Sequence, residues 1–247
     1  MLTPDERARY DRQIMIEGFG EAGQRRLKKA RVVVAGAGGL GSAVATYLAA
    51  AGIGWIRLVD HDVVEPGNLN RQVLHWERDI GRKKVVSTAE KLGQLNSHVE
   101  VEAVDETITE TSVSRLVEGC DLIVDAVDNL PVRYLLNRVA LTRSLPFFHG
   151  AVHGFEGRAM TVIPWESACL GCVYRGAVPE TKFPAIGPTP AIIGCIQATE
   201  VIKHVAGMGR LLTDRLLVYD GLGMKFSELG IERQGDCKFC GGGREEK

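Results

Sequence analysis

The sequence contains no apolar run of about 18 residues, so it predicts no membrane-spanning helix. Its first residues, Met1 to Arg7, lack the hydrophobic core of a signal peptide, and we therefore expect a cytoplasmic protein. The formal net charge is −1, which provides no overall basic field for nucleic acid, and we expect no direct nucleic-acid contact. Internal repeats are absent as well. These absences argue against membrane proteins, general nucleic-acid binders and repeat architectures.

The composition fits one large globular domain with an ample core, since 45% of the 247 residues are hydrophobic and 25% are charged. We divide it into amino-terminal helices in residues 1–29, a nucleotide-binding half in residues 30–142 and a second half in residues 143–247. Six cysteines in a chain that we expect to be cytoplasmic are more often metal ligands or free thiols than disulfides.

Residues 31–42, RVVVAGAGGLGS, are the most informative stretch. They predict a buried strand, a glycine turn and a helix that begins near Leu40. In the spacing G-x-G-x-x-G, Gly36 permits a tight turn, Gly38 lets a phosphate approach the backbone, and Gly41 lets helix and strand pack closely. The free N–H groups at the start of that helix favour an anion. The alternative is a tight strand–helix turn without a ligand.

A second predicted strand, Trp55 to Val59, ends in Asp60, about 20 residues beyond the glycines, where a dinucleotide fold places a ribose-binding acid. The polar loop that follows lies at the carboxyl end of this strand, the edge where open α/β sheets bind ligands. Its candidate binding residues are Asp62, Asn68, Asn70, Arg71 and Gln72.

The helix predicted from Lys83 to Leu95 begins with cations, at the end where the helix dipole disfavours positive charge. These lysines are either ordinary solvated side chains, or Lys84 faces a polyphosphate.

Another apolar strand is predicted from Leu122, and it ends in an acid and an amide, Asp128 and Asn129. Either of these two residues can cap the helix that Pro131 begins. Asp128 also falls on the same rim of the sheet as the glycine turn. A carboxylate beside nucleotide phosphates is a natural magnesium ligand.

The pattern changes beyond residue 143, where short strands joined by a glycine-containing turn indicate that strands other than parallel ones extend the sheet. Two C-x-x-C pairs follow, and together they predict a structural zinc site; the pairs are Cys169 with Cys172, and Cys237 with Cys240. Four thiolates complete the tetrahedron of zinc and leave no position for water. The predicted fold class is therefore α/β, a Rossmann-like nucleotide-binding fold. Its mixed, mainly parallel sheet is extended by antiparallel strands and accompanied by a four-cysteine zinc clip.

Taken together, these residues resemble the MoeB, ThiF and HesA family of adenylating enzymes, relatives of the ubiquitin-activating enzymes. The resemblance runs from residues 9–13, RYDRQ, to Cys240, and it includes the glycine turn, D-H-D at 60–62, N-L-N-R-Q at 68–72, Lys84, Asp128-Asn129 and both cysteine pairs. It implies ATP-dependent adenylation of the carboxyl-terminal Gly-Gly of a ubiquitin-like, β-grasp sulfur carrier. The products would be an acyl-adenylate and pyrophosphate.

The resemblance also implies roles for individual residues. Arg71 and Lys84 would bind phosphate oxygens, Asp128 would hold magnesium, and Asp60 would bind the ribose, while Gly38 and Gly39 let the backbone meet the phosphates. Arg12 would reach the γ-phosphate of ATP in the neighbouring subunit, which implies a homodimer. Asp62, Asn68, Asn70, Gln72 and Asn129 complete the expected nucleotide site.

Other functions remain open at the level of the sequence. An NAD-dependent dehydrogenase fits the glycines and Asp60, but it gives no role to Lys84 or to the zinc clip. A non-catalytic ATP-binding scaffold of the same fold is a second alternative. A relative that adenylates a small-molecule or tRNA-borne carboxylate is a third. The identity of the carrier, its pathway (molybdopterin, thiamin or tRNA thiolation) and the sulfur donor are not encoded in these motifs.

The sequence departs from many relatives at one position. They carry a cysteine shortly before a Gly-Pro in the proline-rich stretch, whereas here the corresponding residue is Glu180 and residues 179–190 contain no cysteine. A carboxylate cannot replace a thiolate as a sulfur nucleophile. We expect Cys120 and Cys195, which lie outside the zinc set, to be small apolar side chains.

Overall fold

The computed structural model describes residues 1–174 and 183–242. Within them the strands are β1 Arg31–Ala35, β2 Trp55–Val59, β3 Glu100–Val104, β4 Leu122–Asp125, β5 Phe147–His153, β6 Glu156–Val162, β7 Arg215–Asp220 and β8 Lys225–Gly230. The α-helices are α1 Pro4–Ile14, α2 Gly20–Lys29, α3 Gly39–Ala51, α4 Lys84–Leu95, α5 Val113–Leu116, α6 Leu130–Arg143, α7 Leu170–Val173 and α8 Pro188–Ala206. Short 3-10 helices span Pro66–Asn68 and Glu77–Asp79.

All of these strands form one sheet in the order β3-β2-β1-β4-β5-β6-β7-β8. The first five strands in this order run parallel, and β6, β7 and β8 are added antiparallel. Ala35 pairs with Val59 of β2 and with Asp125 of β4, and Asp125 pairs with His149 of β5. The predicted mixed, mainly parallel α/β fold is confirmed, and the register brings the carboxyl ends of β1, β2 and β4 to one level.

The sheet has a hydrophobic core on each face. Val32 and Val34 of β1 belong to one cluster, which includes residues of α3 and α8. Val33 and Ala35 belong to the other, with residues of α6 and α7. A continuous apolar run such as RVVVA is typical of a strand covered on both faces. Helix α3 runs from the end of β1 back along the sheet, so its amino terminus lies at the carboxyl rim.

Helix α8 is longer than predicted. The sequence pattern indicated a helix from Ile192 to Val205 preceded by a proline-rich crossing over residues 178–190, but the helix begins at Pro188. Proline is tolerated in the first helical turn because the N–H groups there have no intrahelical partner. The prolines at 188 and 190 therefore begin the helix. In the rest of the predicted crossing, residues 178–182, which include Glu180, lie outside the described residues.

Strand β8 was not predicted. Its six residues are all exposed, so they show no clear separation of a buried and a solvated face. Its pairing with β7, which places Phe226 opposite Tyr219, makes it the edge strand of the sheet. No helix in residues 1–174 and 183–242 combines the length and apolar character needed to cross a membrane.

Candidate active site

The carboxyl ends of β1, β2 and β4, together with β5 and β6, border an open cleft of about 1130 Å³. Most of the predicted binding residues line it, namely Gly38, Gly39, Asp60, Asp62, Arg71, Gln72, Lys84, Asp128 and Asn129. Asn68 and Asn70 do not line the cleft and instead shape the loop beside it. Arg12 lies on α1, exposed and outside the cleft of its own chain.

The glycine turn is built from two close backbone approaches. Gly36 has a φ of +103°, a left-handed conformation that glycine adopts readily, and a side chain there would meet the Ala126 carbonyl oxygen at 2.5 Å. A Cβ at Gly41 would lie 2.0 Å from the Gly36 carbonyl oxygen. These two glycines therefore let α3 begin directly against β1 and β4.

Gly38 has a different environment. A Cβ on this residue would meet only the Gln72 side chain, at 3.6 Å, so the fold itself leaves room for one. Gln72 is buried, and its Oε1 atom has no hydrogen-bond partner among residues 1–174 and 183–242. Buried polar atoms without partners are rare and call for an explanation. A polar ligand against Gly38, at the amino terminus of α3, fits this arrangement.

Asp60 holds the turn together. Its carboxylate accepts hydrogen bonds from the backbone N–H of Ala37 and from that of Asp62, each at 2.8 Å. A carboxylate has about four acceptor positions, and these two contacts use two of them. Asp60 also lines the cleft.

Lys84 is the first residue of α4, and its side chain is only 7% exposed. Its Nζ atom lies 2.7 Å from Asp62 Oδ2, and its backbone N–H donates to the Asp62 carbonyl. Burial raises the pKa of Asp62, but the hydrogen bond and charge of Lys84 outweigh this effect and lower it. The solvated alternative for this lysine is wrong, because the chain holds the cation against the cleft.

Arg71 is half-buried and donates from Nη1 to the Gly67 carbonyl and to Asn70 Oδ1. Asn68 in turn accepts from the Glu65 N–H within the short 3-10 helix. Both contacts of Arg71 use the same guanidinium nitrogen. Arg71 lines the cleft, and its other N–H donors have no hydrogen-bond partner in the described part of the chain.

Asp128 and Asn129 have different environments, although they are neighbours. Asn129 caps α6, since its Oδ1 accepts from the Val132 N–H, so the capping alternative holds for this residue. Asp128 is exposed on the rim and has only a 3.5 Å contact with the Asn129 amide among the described residues. An exposed carboxylate beside a cation-lined cleft has the donor chemistry that magnesium prefers.

The cysteine pairs converge as the spacing predicted. The sulfur atoms of Cys169, Cys172, Cys237 and Cys240 all lie within 4.8 Å of one another. The Sγ atoms of Cys169 and Cys237 are 3.7 Å apart, and those of Cys172 and Cys240 are 3.5 Å apart. A tetrahedron with Zn–S bonds of 2.3 Å has edges of about 3.8 Å, so the cluster fits zinc. It joins α7 to the carboxyl-terminal segment.

A buried polar cluster on β4, β5 and α6 was missed at the level of the sequence. His149 Nδ1 lies 2.6 Å from Asp125 Oδ2, and both side chains are fully buried. Arg133 Nη1 lies 3.8 Å from the same oxygen, and His149 Nε2 lies 3.2 Å from Tyr174 Oη. Desolvation lowers the pKa of His149, against the effect of Asp125. The sequence signals for this cluster were Asp125 at the end of the apolar run LIVD and His149 within FFHG.

Comparison with known proteins agrees with this geometry. The ThiF family model matches residues 10–239. The chain is 43% identical to a SAMP-activating enzyme E1 of Haloferax volcanii, over 95% of this chain and 89% of that protein. It is 38% identical to a sulfur carrier protein adenylyltransferase of Thermus thermophilus, over 97% of this chain and 92% of that protein.

A mouse relative named adenylyltransferase and sulfurtransferase MOCS3 is 42% identical, but this chain spans only 54% of its length. Among solved structures, Escherichia coli MccB with ATP matches with a TM-score of 0.86, over 94% of this chain and 73% of that one. At 24% identity, this match supports the fold alone. The dehydrogenase alternative is excluded by the family match. The chain belongs to the ThiF family and is an adenylyltransferase of the MoeB and ThiF type.

Proposed function

We propose that this protein uses ATP and magnesium to adenylate the carboxyl-terminal Gly-Gly of a β-grasp sulfur carrier, with release of pyrophosphate. The observation that carries the proposal is the set of charges at one rim of the sheet. Arg71 and the buried Lys84 line the same cleft as the exposed Asp128, next to the amino terminus of α3. The arrangement suits a triphosphate and a metal ion.

The chemistry requires positive charge more than proton transfer. A carboxylate oxygen of the carrier attacks the α-phosphorus of ATP, a new O–P bond forms, and the bond to the β-phosphate oxygen breaks. The leaving pyrophosphate takes the bonding electrons, and no proton moves in this step. Both reactants are anions, so preorganised cations lower the barrier. Arg71 binds phosphate oxygens with its planar fork, and Lys84 does so as a compact charge.

The other cleft residues position the nucleotide. Asp60 accepts hydrogen bonds from the ribose, and Gly38 and Gly39 let the backbone N–H groups approach the phosphates. Asp128 would hold magnesium, which when bound would neutralise phosphate charge. Asp62 fixes the Lys84 ammonium at 2.7 Å. The remaining members shape or cap this site, namely Asn68, Asn70, Gln72 and Asn129.

A protein substrate is supported by relatives whose names specify sulfur carriers or SAMP proteins. The edge strand β8 and the turn before it add support, because they expose large apolar side chains. These are Leu222, Met224, Phe226 and Leu229. A strand edge that has no partner strand among the described residues and that exposes apolar side chains suits pairing with another protein.

The proposal includes a homodimer and a structural zinc ion. Arg12 lies outside the cleft of its own chain, so it acts in a site only if a partner subunit brings it there. We propose that it reaches the γ-phosphate of ATP bound to the neighbouring subunit. Zinc joins α7 to residues 237–240 and takes no part in the chemistry, because four cysteines leave no open coordination position.

Magnesium-dependent exchange of labelled pyrophosphate into ATP tests the proposal. The probes are the β-grasp proteins ending in Gly-Gly that are encoded in the organism's genome, each with and without its terminal glycine. We expect exchange with an intact carrier and none with the truncated one. Asp128→Ala should abolish exchange, whereas Glu110→Ala, which removes an exposed acid outside the cleft, should leave it unchanged.

The same assay separates the alternatives. A non-catalytic scaffold would bind ATP and give no exchange with any carrier. Exchange that depends on a small carboxylate or on a tRNA, and not on a carrier protein, would replace the proposed substrate. Full exchange by Asp128→Ala would remove that residue from the mechanism.

A further inference from the structure

The cleft has a second wall that the nucleotide does not account for. The phosphate-binding candidates lie around the ends of β1, β2 and β4, whereas the second wall comes from the β5–β6 hairpin and its neighbours. Ala151, Val152, His153, Glu156 and Arg158 of this hairpin line the cleft, as do Tyr174 and Phe183. If the proposed reaction is correct, a carrier tail must reach the α-phosphate from outside, and this wall is available to it.

Two arginines line this side of the cleft, and only one has donors to spare. Arg133 Nη1 donates to the Gly150 carbonyl at 2.8 Å, and Nη2 donates to the Val127 carbonyl at 2.5 Å. It also contacts His149, and its side chain is 7% exposed. Its donors are therefore used inside the protein. Arg133 is a structural residue that fixes the backbone between Asp125 and Asp128.

Arg158 is the contrasting case. Its Nε and Nη2 atoms both contact a single oxygen, Glu156 Oε1, at 2.8 and 2.6 Å. A guanidinium carries five N–H donors, and a further one is engaged by the Tyr174 hydroxyl, so only the remaining donors have no hydrogen-bond partner among residues 1–174 and 183–242. The side chain is 41% exposed, and it stands opposite the cleft residue Ala151 in the β5–β6 register. Arg158 thus presents donors to the cleft, far along the chain from the phosphate-binding candidates.

A hydrogen-bonded chain of side chains, which runs from Asp125 through His149 to Tyr174, lies next to Arg158. Asp125 accepts from His149 Nδ1, which leaves Nε2 of the neutral imidazole as the acceptor for the Tyr174 hydroxyl. The backbone carbonyl of Tyr174 is itself held by the Tyr134 hydroxyl. Burial raises the pKa of Tyr174, and the guanidiniums of Arg133 and Arg158 oppose this rise. The tyrosine is fixed at both its hydroxyl and its carbonyl, beside Arg158.

We propose that Arg158 is a specificity-determining residue that donates hydrogen bonds to main-chain carbonyl groups of the carrier's carboxyl-terminal segment. Asp125, His149 and Tyr174 are positioning residues that hold Arg158 in place. Two terminal glycines offer no side chains, so apart from the carboxylate that reacts with ATP only their amide and carbonyl groups can be recognised, and a donor-rich guanidinium matches the carbonyls. This inference rests on the proposed adenylation and adds the substrate-binding wall to it.

Kinetics of pyrophosphate exchange with an intact β-grasp carrier test the inference. Loss of a hydrogen-bonding guanidinium should raise the carrier KM of Arg158→Ala about 10- to 100-fold. The KM for ATP should stay within about twofold, because the residue belongs to the β5–β6 hairpin and not to the phosphate-binding candidates at the ends of β1, β2 and β4. Tyr174→Phe removes only a hydroxyl, and it should raise the carrier KM by a smaller factor, again with the KM for ATP unchanged. Arg158→Lys should recover part of the loss.

Matched controls keep the outcomes separate. Arg138→Ala removes an exposed arginine of α6 outside the cleft, and Tyr47→Phe removes the hydroxyl of an exposed tyrosine of α3 outside the cleft. Both should behave as wild type. An unchanged carrier KM in Arg158→Ala would overturn the inference, and so would an equal rise in the KM for ATP. If the wild-type protein shows no exchange with any carrier, the proposed function itself fails, which is a different result.

Discussion

Replacing single glycines should separate the role of the glycine turn in folding from its role in binding. A Cβ at Gly41 would lie 2.0 Å from the Gly36 carbonyl oxygen, which is backbone and cannot rotate away. Overpacking of this kind costs about 3 kcal/mol at the upper end of its usual range. The higher helix propensity of alanine than of glycine offsets about 0.5–1 kcal/mol of this cost. The net loss of about 2 kcal/mol lowers the Tm of a chain this long by about 4–8 °C.

Gly38→Ala should have the opposite profile. Its Cβ would meet nothing closer than 3.6 Å, so the Tm should stay within about 1 °C of wild type. The added methyl group would point to where the phosphate meets the backbone. Losing one such contact costs about 1.4 kcal/mol, so the KM for ATP should rise about tenfold.

Gly93→Ala is the matched control, because this glycine lies in α4 and a Cβ there would meet nothing within 4 Å. It should raise the Tm by about 1–4 °C through helix propensity alone, with unchanged ATP kinetics. Calorimetry and steady-state kinetics on the three variants provide the test. A Gly41→Ala protein as stable as wild type would refute the close approach. Normal ATP binding by Gly38→Ala would refute the backbone contact with phosphate.

Three further predictions concern the rest of the account. Metal analysis should find one zinc per chain, and chelation should lower the Tm by about 5–10 °C. The Cys169→Ser variant should lose the metal, whereas Cys195→Ser should keep it. A native protein without zinc would contradict the four-cysteine zinc site. An Arg12→Ala chain mixed with an Asp128→Ala chain should restore about one working site per mixed dimer, and no recovery in verified mixed dimers would exclude the trans arrangement. Carrier and ATP should give no reductant-sensitive covalent adduct, because burial raises the pKa of the Cys120 thiol to about 11 and also raises that of Cys195. An adduct that disappears in Cys195→Ser would make that thiol a nucleophile.

The sequence predicted the parallel half of the sheet well, because its strands are covered on both faces and read as continuous apolar runs. RVVVA is a strand with the predicted bounds, and LIVD is a strand that starts as predicted at Leu122 but ends at Asp125, before the predicted end at Asp128 and Asn129. The exposed edge strand β8 has no such signal, and it depends on its pairing with β7. Helix α8 began earlier than predicted, since prolines were interpreted as breakers and not as first-turn residues.

The residues of the candidate site also differ in how well the sequence could predict them. Residues tied to a local pattern, such as the glycine turn and Asp60, could be placed on the rim from the sequence. The burial of Lys84 and its contact with Asp62 could not, because they depend on the packing of the loop against α4. The cluster of Asp125, His149 and Tyr174 joins three separate elements. A single sequence offers no periodicity that links them.

Transfer of label from α-phosphate-labelled ATP to a carrier protein tests the central claim most directly. The wild-type protein, magnesium and a β-grasp carrier ending in Gly-Gly should yield a labelled carrier whose acyl-phosphate bond is cleaved by hydroxylamine. The Asp128→Ala protein, and a carrier that lacks its terminal glycine, should yield none. The account would be contradicted if no Gly-Gly carrier from the organism becomes labelled by wild-type protein that binds ATP, or if labelling persists without the terminal glycine.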